Sequence, residues 1–101
     1  MSETVVQGSV FLAHTIGLHA RPSVKLTKLA KMFAATIELA AAEKGPWIDA
    51  KSIVKVMAAK VPQNATLQFR ATGPDAVEAV RSLIRLVEHD FSEDVPDGAV
   101  A

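Results

Sequence analysis

Two residues near the N-terminus, His19 and Arg21, have the types and spacing for phosphoryl chemistry. They belong to the hexapeptide GLHARP, residues 17–22, whose proline suits the first turn of a helix. There a histidine lies beside N–H groups without intrahelical acceptors and near the positive end of the helix dipole, which favours the neutral, nucleophilic imidazole. The guanidinium of Arg21 can hold a phosphate by two hydrogen bonds. These residues indicate a phosphohistidine site, but by themselves they leave open that His19 is only a cap or a surface residue.

The composition argues against several other chemistries. The 101 residues include no cysteine, so a disulfide framework, a thiolate metal site and a cysteine nucleophile are excluded. Eleven basic residues balance eleven acidic ones, and no basic block indicates a nucleic-acid partner. The sequence has no metal-ligand spacing, no signal-like start and no apolar run long enough to span a membrane. We therefore expect a cytoplasmic protein that needs no metal or cofactor and binds neither nucleic acid nor membrane.

Hydrophobic periodicity predicts one domain with the element order β-α-β-β-α-β-α. The predicted strands cover residues 4–12, 36–41, 47–49 and 66–71, and Gly8 suggests a bulge in the first. The predicted helices begin near Pro22, at Ile53 and near Pro74. The spacing of these elements favours an α+β fold, with one antiparallel four-stranded sheet covered on one face by three helices. We expect this domain to span residues 1–91 and residues 92–101 to form a flexible tail.

Residue types also predict which side chains pack in the core and which begin or end the helices. A buried stripe is expected on the first helix (Leu26, Leu29, Ala30, Phe33) and another on the last (Val77, Val80, Ile84, Val87, Phe91). Ser52 has the chemistry of an N-cap, and Asp75 suits the positive end of the last helix dipole. His14 reads as a loop residue, His89 as a solvated residue near a helix end, and Trp47 as a packing residue on an edge strand.

Two separated segments, GLHARPSVKLTKLAKMF and DAKSIVKVM, resemble the HPr family in their order and in the length of the chain. These proteins are the histidine phosphocarriers of the phosphoenolpyruvate-dependent phosphotransferase system. The resemblance implies an open-faced β-sandwich of four antiparallel strands beneath three helices. It also implies that His19 is phosphorylated on Nδ1 and that Ala20 and Arg21 hold the phosphoryl group.

The same resemblance implies partners and a regulatory residue. Ser52 matches a serine that a dedicated kinase phosphorylates in many bacteria. An apolar contact patch for enzyme I and the enzyme IIA proteins is implied at Ile53, Val54 and Met57, and Val24, which lies off the buried stripe of the first helix, is expected to join it. The chain departs from the family at Ile16, where a polar cap is usual, and at Lys60 and Asn64, where glycines are common.

The expected function is that of a monomeric, stoichiometric carrier rather than a free-standing enzyme. It would accept a phosphoryl group from phospho-enzyme I and pass it to an enzyme IIA. A second hypothesis is a regulatory phosphocarrier of a nitrogen- or carbon-responsive branch, whose phosphorylation state controls partner binding. A third, an interaction domain without phosphotransfer, is disfavoured because His19 is retained together with Arg21.

Overall fold

The computed structural model of the chain describes residues 5–12, 20–62, 64–89 and 91. The elements are β1 (Val5–Phe11), α1 (Ala20–Ala30), β2 (Thr36–Ala40), β3 (Ile48–Asp49), α2 (Ile53–Ala58), β4 (Thr66–Thr72) and α3 (Ala76–Glu88). This order is the predicted one. None of the helices in these ranges combines the length and apolarity needed to cross a bilayer. The tail expected at residues 92–101 lies outside the described residues.

The four strands form one antiparallel sheet in the order β1-β4-β2-β3. Alternation along the central strand β4 sends Leu67, Phe69 and Ala71 to the covered face, where all three are buried. β2 adds Ile37 and Leu39 to the same layer. The three helices cover this face and leave the other open, which confirms the predicted α+β sandwich.

The open face of the sheet is polar at its centre. Arg70 of β4 lies opposite Gln7 on one side and Glu38 on the other. Its Nε donates to Glu38 Oε1 at 2.6 Å, and its guanidinium lies 4.2 Å from the centre of the Trp47 ring. Trp47 precedes β3 and is half-buried, so its packing partner is a cation on the open face rather than the core.

The buried stripe of α3 differs from the predicted one. Val77 is 54% exposed, whereas Leu83, which the prediction left out, is fully buried. Alanines complete the inner face at positions 76 and 79, because small side chains let the helix lie close to the sheet. The helix begins at Ala76 with Asp75 as its N-cap, two residues after the Pro74 near which its start was predicted. The prediction followed the large apolar residues and therefore missed the rotation of the stripe.

Gly8 marks a close contact and not a bulge. The β1–β4 register runs unbroken through the pair Gly8–Phe69, so the predicted bulge is wrong. A Cβ at this position would lie 2.7 Å from Ile84 Cδ1 and 2.9 Å from Val80 Cγ1. Glycine is needed here because α3 packs directly on the backbone of β1.

Candidate functional site

The start of α1 carries the predicted chemistry. The helix begins at Ala20, immediately after His19 in the chain. Backbone N–H groups in such a first turn have no intrahelical acceptor, and α1 has no acidic residue there to offset the positive end of its dipole. The side chain of Arg21 is exposed. The described part of this helix start is therefore suited to an anion, while His19 itself, like His14 and Ile16, lies outside the described residues.

Burial of one face fixes the orientation of α1. Leu26 and Ala30 are fully buried, as the periodicity predicts, and Pro22 is buried with them. Two polar residues, Ser23 and Thr27, are also buried. Thr27 Oγ1 donates to the carbonyl of Ser23 at 3.0 Å, so the hydroxyl is satisfied within the helix. With this face against the core, Arg21 and its neighbours on the opposite face remain open to solvent.

A long-range contact ties the end of α3 to α1. Lys25 Nζ donates to the carbonyl of Phe91 at 2.7 Å. Phe91 is buried, and its own N–H donates to the carbonyl of Leu86 at 2.8 Å, which closes the end of α3. Sequence reasoning missed this contact, since nothing local links two residues 66 positions apart. It holds α1 in place one helical turn beyond Arg21.

Ser52 is the N-cap of α2, as predicted. Its backbone is extended, with φ −104° and ψ 109°, and its Oγ accepts from the N–H of Lys55 at 3.2 Å. Its own N–H donates to the carbonyl of Asp49 at 3.2 Å. Ser52 is half-buried at the surface end of a six-residue helix.

Of the four residues predicted to contact partner proteins, three are exposed and one is half-buried. Val24 of α1 and Val54 and Met57 of α2 are exposed by 45%, 74% and 41%. α1 and α2 contact each other, and we refer to these three exposed side chains together as the apolar patch. Ile53, which was predicted with them, is half-buried, while Val56 is fully buried.

Lys60 and Asn64, which stand after α2 where glycines are common in the family, have unusual backbone conformations. Ala59 is the C-cap of α2, and Lys60 follows it with φ 50°. Asn64 has φ 72°. Positive φ is common for glycine and tolerated by asparagine, but it costs lysine about 1 kcal/mol. The turn therefore keeps the glycine-like geometry without the glycines.

His89, the one described histidine, is the C-cap of α3. Its side chain is exposed, and its Nδ1 lies 2.8 Å from the carbonyl of Arg85. This agrees with a solvated residue at a helix end. Within the described ranges, no three His, Asp or Glu side chains converge on a point that could hold a metal ion.

Known proteins match this chain along most of its length. The family model described as the PTS HPr component phosphorylation site matches residues 6–89. The phosphocarrier protein HPr of Cupriavidus necator is 35% identical over 88% of this chain and 98% of its own length. The phosphocarrier protein NPr of Escherichia coli is 30% identical over the same shares. The crystal structure of HPr-C-His from Thermoanaerobacter tengcongensis superposes with a TM-score of 0.79 at 29% identity, covering 89% of this chain and 99% of that one.

Proposed function

Since the chain belongs to the HPr family of the phosphotransferase system, we propose that His19 takes a phosphoryl group from phospho-enzyme I and passes it to an enzyme IIA. The observation that carries this proposal is the position of α1. The helix begins at Ala20, the residue that follows His19 in the sequence, and its first turn carries the exposed Arg21. Residues 1–91 are the unit that does this work, and it acts in the cytoplasm.

Each transfer is an exchange between two nucleophilic side chains. The neutral Nδ1 of His19 attacks phosphorus as the bond from phosphorus to the donor side chain breaks. Negative charge spreads over the three phosphoryl oxygens during this step. The N–H groups of the first turn of α1 and the Arg21 guanidinium are suited to balance that charge. Transfer to the acceptor reverses the sequence, with His19 as the leaving group.

Docking brings the reacting atoms into line, and the apolar patch supplies the surface for it. Val24 lies one turn beyond Arg21 on α1, and Val54 and Met57 stand on the adjoining α2. Apolar groups ringed by charged ones are typical of transient protein interfaces. A partner that covers this patch places its own nucleophile near the start of α1, and positioning of this kind lowers the barrier of a bimolecular transfer.

Ser52 is proposed as the target of a regulatory serine kinase. A phosphate on its Oγ would lie at the start of α2, where the helix dipole favours negative charge. It would also stand two residues before Val54, at the start of the helix that carries Met57. Docking would then require the removal of water from a charged group, which is costly. Phosphorylation would therefore weaken partner binding more than it changes the fold.

The decisive experiment is phosphorylation with enzyme I, phosphoenolpyruvate and Mg²⁺, followed by mass spectrometry. The wild-type protein should gain one acid-labile, base-stable phosphate. His19→Ala should gain none and keep the circular dichroism of the wild type, while His89→Ala should be labelled normally. Labelling that persists in His19→Ala would falsify the assignment of the acceptor.

A regulatory branch is the second candidate, because the E. coli NPr and the C. necator HPr each match 88% of the chain. In this case the phosphorylated form would act by binding a partner. Proteins captured by phosphorylated wild type but not by His19→Ala would identify the branch. Capture of an enzyme IIA of a sugar permease would favour the first candidate.

A further inference from the structure

In the part of the chain that the structure describes, β1 is an edge strand without the features that normally prevent association through an edge. The order β1-β4-β2-β3 leaves β1 and β3 at the two sides of the sheet. β3 has only two residues, and one of them is Asp49. β1 has seven residues, VVQGSVF, without a charge, a proline or a bulge. A long, regular and uncharged edge is a template for a further strand.

The free side of β1 carries the backbone groups of its odd-numbered residues. The N–H of Leu12 donates to the carbonyl of Ala65 at 2.8 Å, in the same register as the β1–β4 ladder. In an antiparallel ladder, residues that bond one neighbour alternate with residues that face the other side. The even-numbered residues of β1 therefore bond β4. The outward-facing backbone groups belong to Val5, Gln7, Ser9 and Phe11.

The pattern of apolar and polar residues in β1 is symmetric about Gly8. Two apolar residues and a polar one precede the glycine, and a polar and two apolar residues follow it. We propose that β1 pairs with β1 of a second copy of this chain, antiparallel and with the twofold axis at Gly8. This register sets Val5 opposite Phe11, and Gln7 opposite Ser9, of the other copy. Val5 and Phe11 are 53% and 54% exposed on the open face, and the pairing would cover them.

The backbone hydrogen bonds and the side chains on both faces of β1 favour this register over registers shifted by two residues. All four outward-facing residues find partners, giving about eight hydrogen bonds across the axis. Val6 comes opposite Val10 on the helix-covered face. A shift of two residues would pair Val5 with Ser9 and leave Phe11 without an apolar partner. A pattern that is matched in only one register specifies that register.

α3 adds an apolar contribution beside the strand. Ile84 and Val80 lie directly over Gly8, close to the proposed axis. Val77 is two turns before Ile84 on the same side of the helix and is 54% exposed. Stable dimers bury roughly 1,200–2,000 Å² in total, which a single strand pair does not reach alone. The pairing is therefore weak and reversible, and the chain is a monomer when dilute.

The dimer would leave the transfer surface open. α2 packs beside β3, at the opposite edge of the sheet from β1. Val54 and Met57 therefore stay exposed when two β1 strands pair. Each dimer carries two independent sites, so loss of pairing should not change phosphoryl uptake.

Sedimentation velocity over a concentration series tests the pairing. The wild-type mass should rise from 10.7 kDa towards twice that value as concentration increases. Phe11→Lys should remain monomeric, since it charges the edge at an exposed position. Ser9→Pro should do the same, because it removes an outward N–H and no bond to β4. The control Thr36→Lys adds the same charge at an exposed position of β2 and should dimerise like wild type.

Cross-linking tests the register, since the chain contains no cysteine. Gln7→Cys mixed with Ser9→Cys should form a disulfide-linked dimer under mild oxidation. Either variant alone should link much more slowly, because residues 7 and 7, or 9 and 9, are not opposite each other. A wild-type protein that stays monomeric up to about 1 mM, or a dimer that persists in Phe11→Lys, overturns the proposal. So does a mixture that links no faster than the single variants, which would indicate another association such as exchange of β1 between chains.

Discussion

The starts of α1 and α3 each carry a charged side chain, and the fold uses the two in opposite ways. Arg21 at the start of α1 is exposed, and no other described residue bonds to its guanidinium. Asp75, the N-cap of α3, makes no capping bond to its own helix. Its carboxylate accepts instead from the N–H groups of Ala34 at 2.9 Å and Ala35 at 2.8 Å, some 40 residues away. One charge remains available to a ligand, while the other is bound within the fold.

The surroundings of Asp75 strengthen this contrast. Lys51 Nζ donates to the carbonyl of Phe33 at 2.8 Å, so two charged residues hold the link between α1 and β2. The hydrogen bond from Ala34, followed by that from Ala35 and the attraction of Lys51, lowers the pKa of Asp75. Asp75 therefore acts on stability, and Arg21 acts on transfer. Ser52 combines both roles, because it caps its own helix and also adjoins the apolar patch.

The largest effect is expected on transfer, at Arg21. Arg21→Lys keeps the charge but loses the planar pair of donors. Loss of a charge-assisted contact worth about 1.5–3 kcal/mol corresponds to a roughly ten- to hundredfold slower phosphoryl uptake. Rapid-quench kinetics with phospho-enzyme I would measure it, and Lys28→Ala on the same helix is the control. Wild-type rates in Arg21→Ala would show that the backbone N–H groups suffice.

Asp75→Ala should show the reverse behaviour, with a lower Tm and unchanged transfer at temperatures where it is folded. Asp75→Asn keeps one acceptor oxygen, so its Tm should lie between those of Asp75→Ala and wild type. Because the folded pKa lies below its ordinary value of 3.8, the contribution of the carboxylate is complete above that value. It is lost as the pH falls through the folded pKa.

The stabilising effect of Asp75 should therefore disappear in acid. Differential scanning calorimetry of wild type and Asp75→Asn should show a clear difference in Tm at neutral pH. That difference should shrink steadily as the pH falls below the ordinary pKa of 3.8 towards the lowered pKa of the folded protein. A difference independent of pH would mean that Asp75 stabilises the loop by shape and not by charge.

Substitutions of Ser52 should change stability and phosphoryl uptake separately. Ser52→Asp keeps a capping oxygen, so the free energy of unfolding should stay within about 1 kcal/mol of wild type. Uptake from enzyme I should nevertheless slow, and added salt should partly restore it, because screening weakens repulsion between exposed charges. Ser52→Ala should lose about 0.5–2 kcal/mol of stability but accept phosphate normally. If Ser52→Asp accepts phosphate as fast as wild type, the residue is only a cap.

The smallest effect is expected at Lys60, which follows the C-cap of α2. Lys60→Gly removes the cost of a positive φ and should stabilise the protein by up to about 1 kcal/mol. Asn64→Gly should gain less, because asparagine tolerates this conformation. Urea unfolding measures both, and transfer rates should not move. Destabilisation by Lys60→Gly would mean that the lysine side chain makes a contact worth more than the strain.

Much of the fold was predictable because it depends on local patterns. Alternation located the described strands to within one residue at each end, and the 3.6-residue period located α1. Ser52 was recognisable as an N-cap because capping needs only one side chain and the next turn of the helix. The predictions failed where neighbours in space decided the outcome. A glycine inside a strand indicates a bulge, but Gly8 is required because α3 packs against it. Val77 fits the apolar period of α3, but the orientation of the helix leaves it exposed.

The sequence by itself determined the order of elements, the cap of α2, the location of α1 after His19 and the resemblance that identifies the family. Each element and the cap depend on residues within a few positions of one another, and the resemblance depends on two short segments and their order in the chain. Only the tertiary structure revealed that Asp75 binds Ala34 and Ala35 and that Lys25 reaches Phe91. It alone also placed β1 at an edge of the four-stranded sheet. These features depend on how packed elements meet, and the free energy of that packing is shared among residues far apart in the chain.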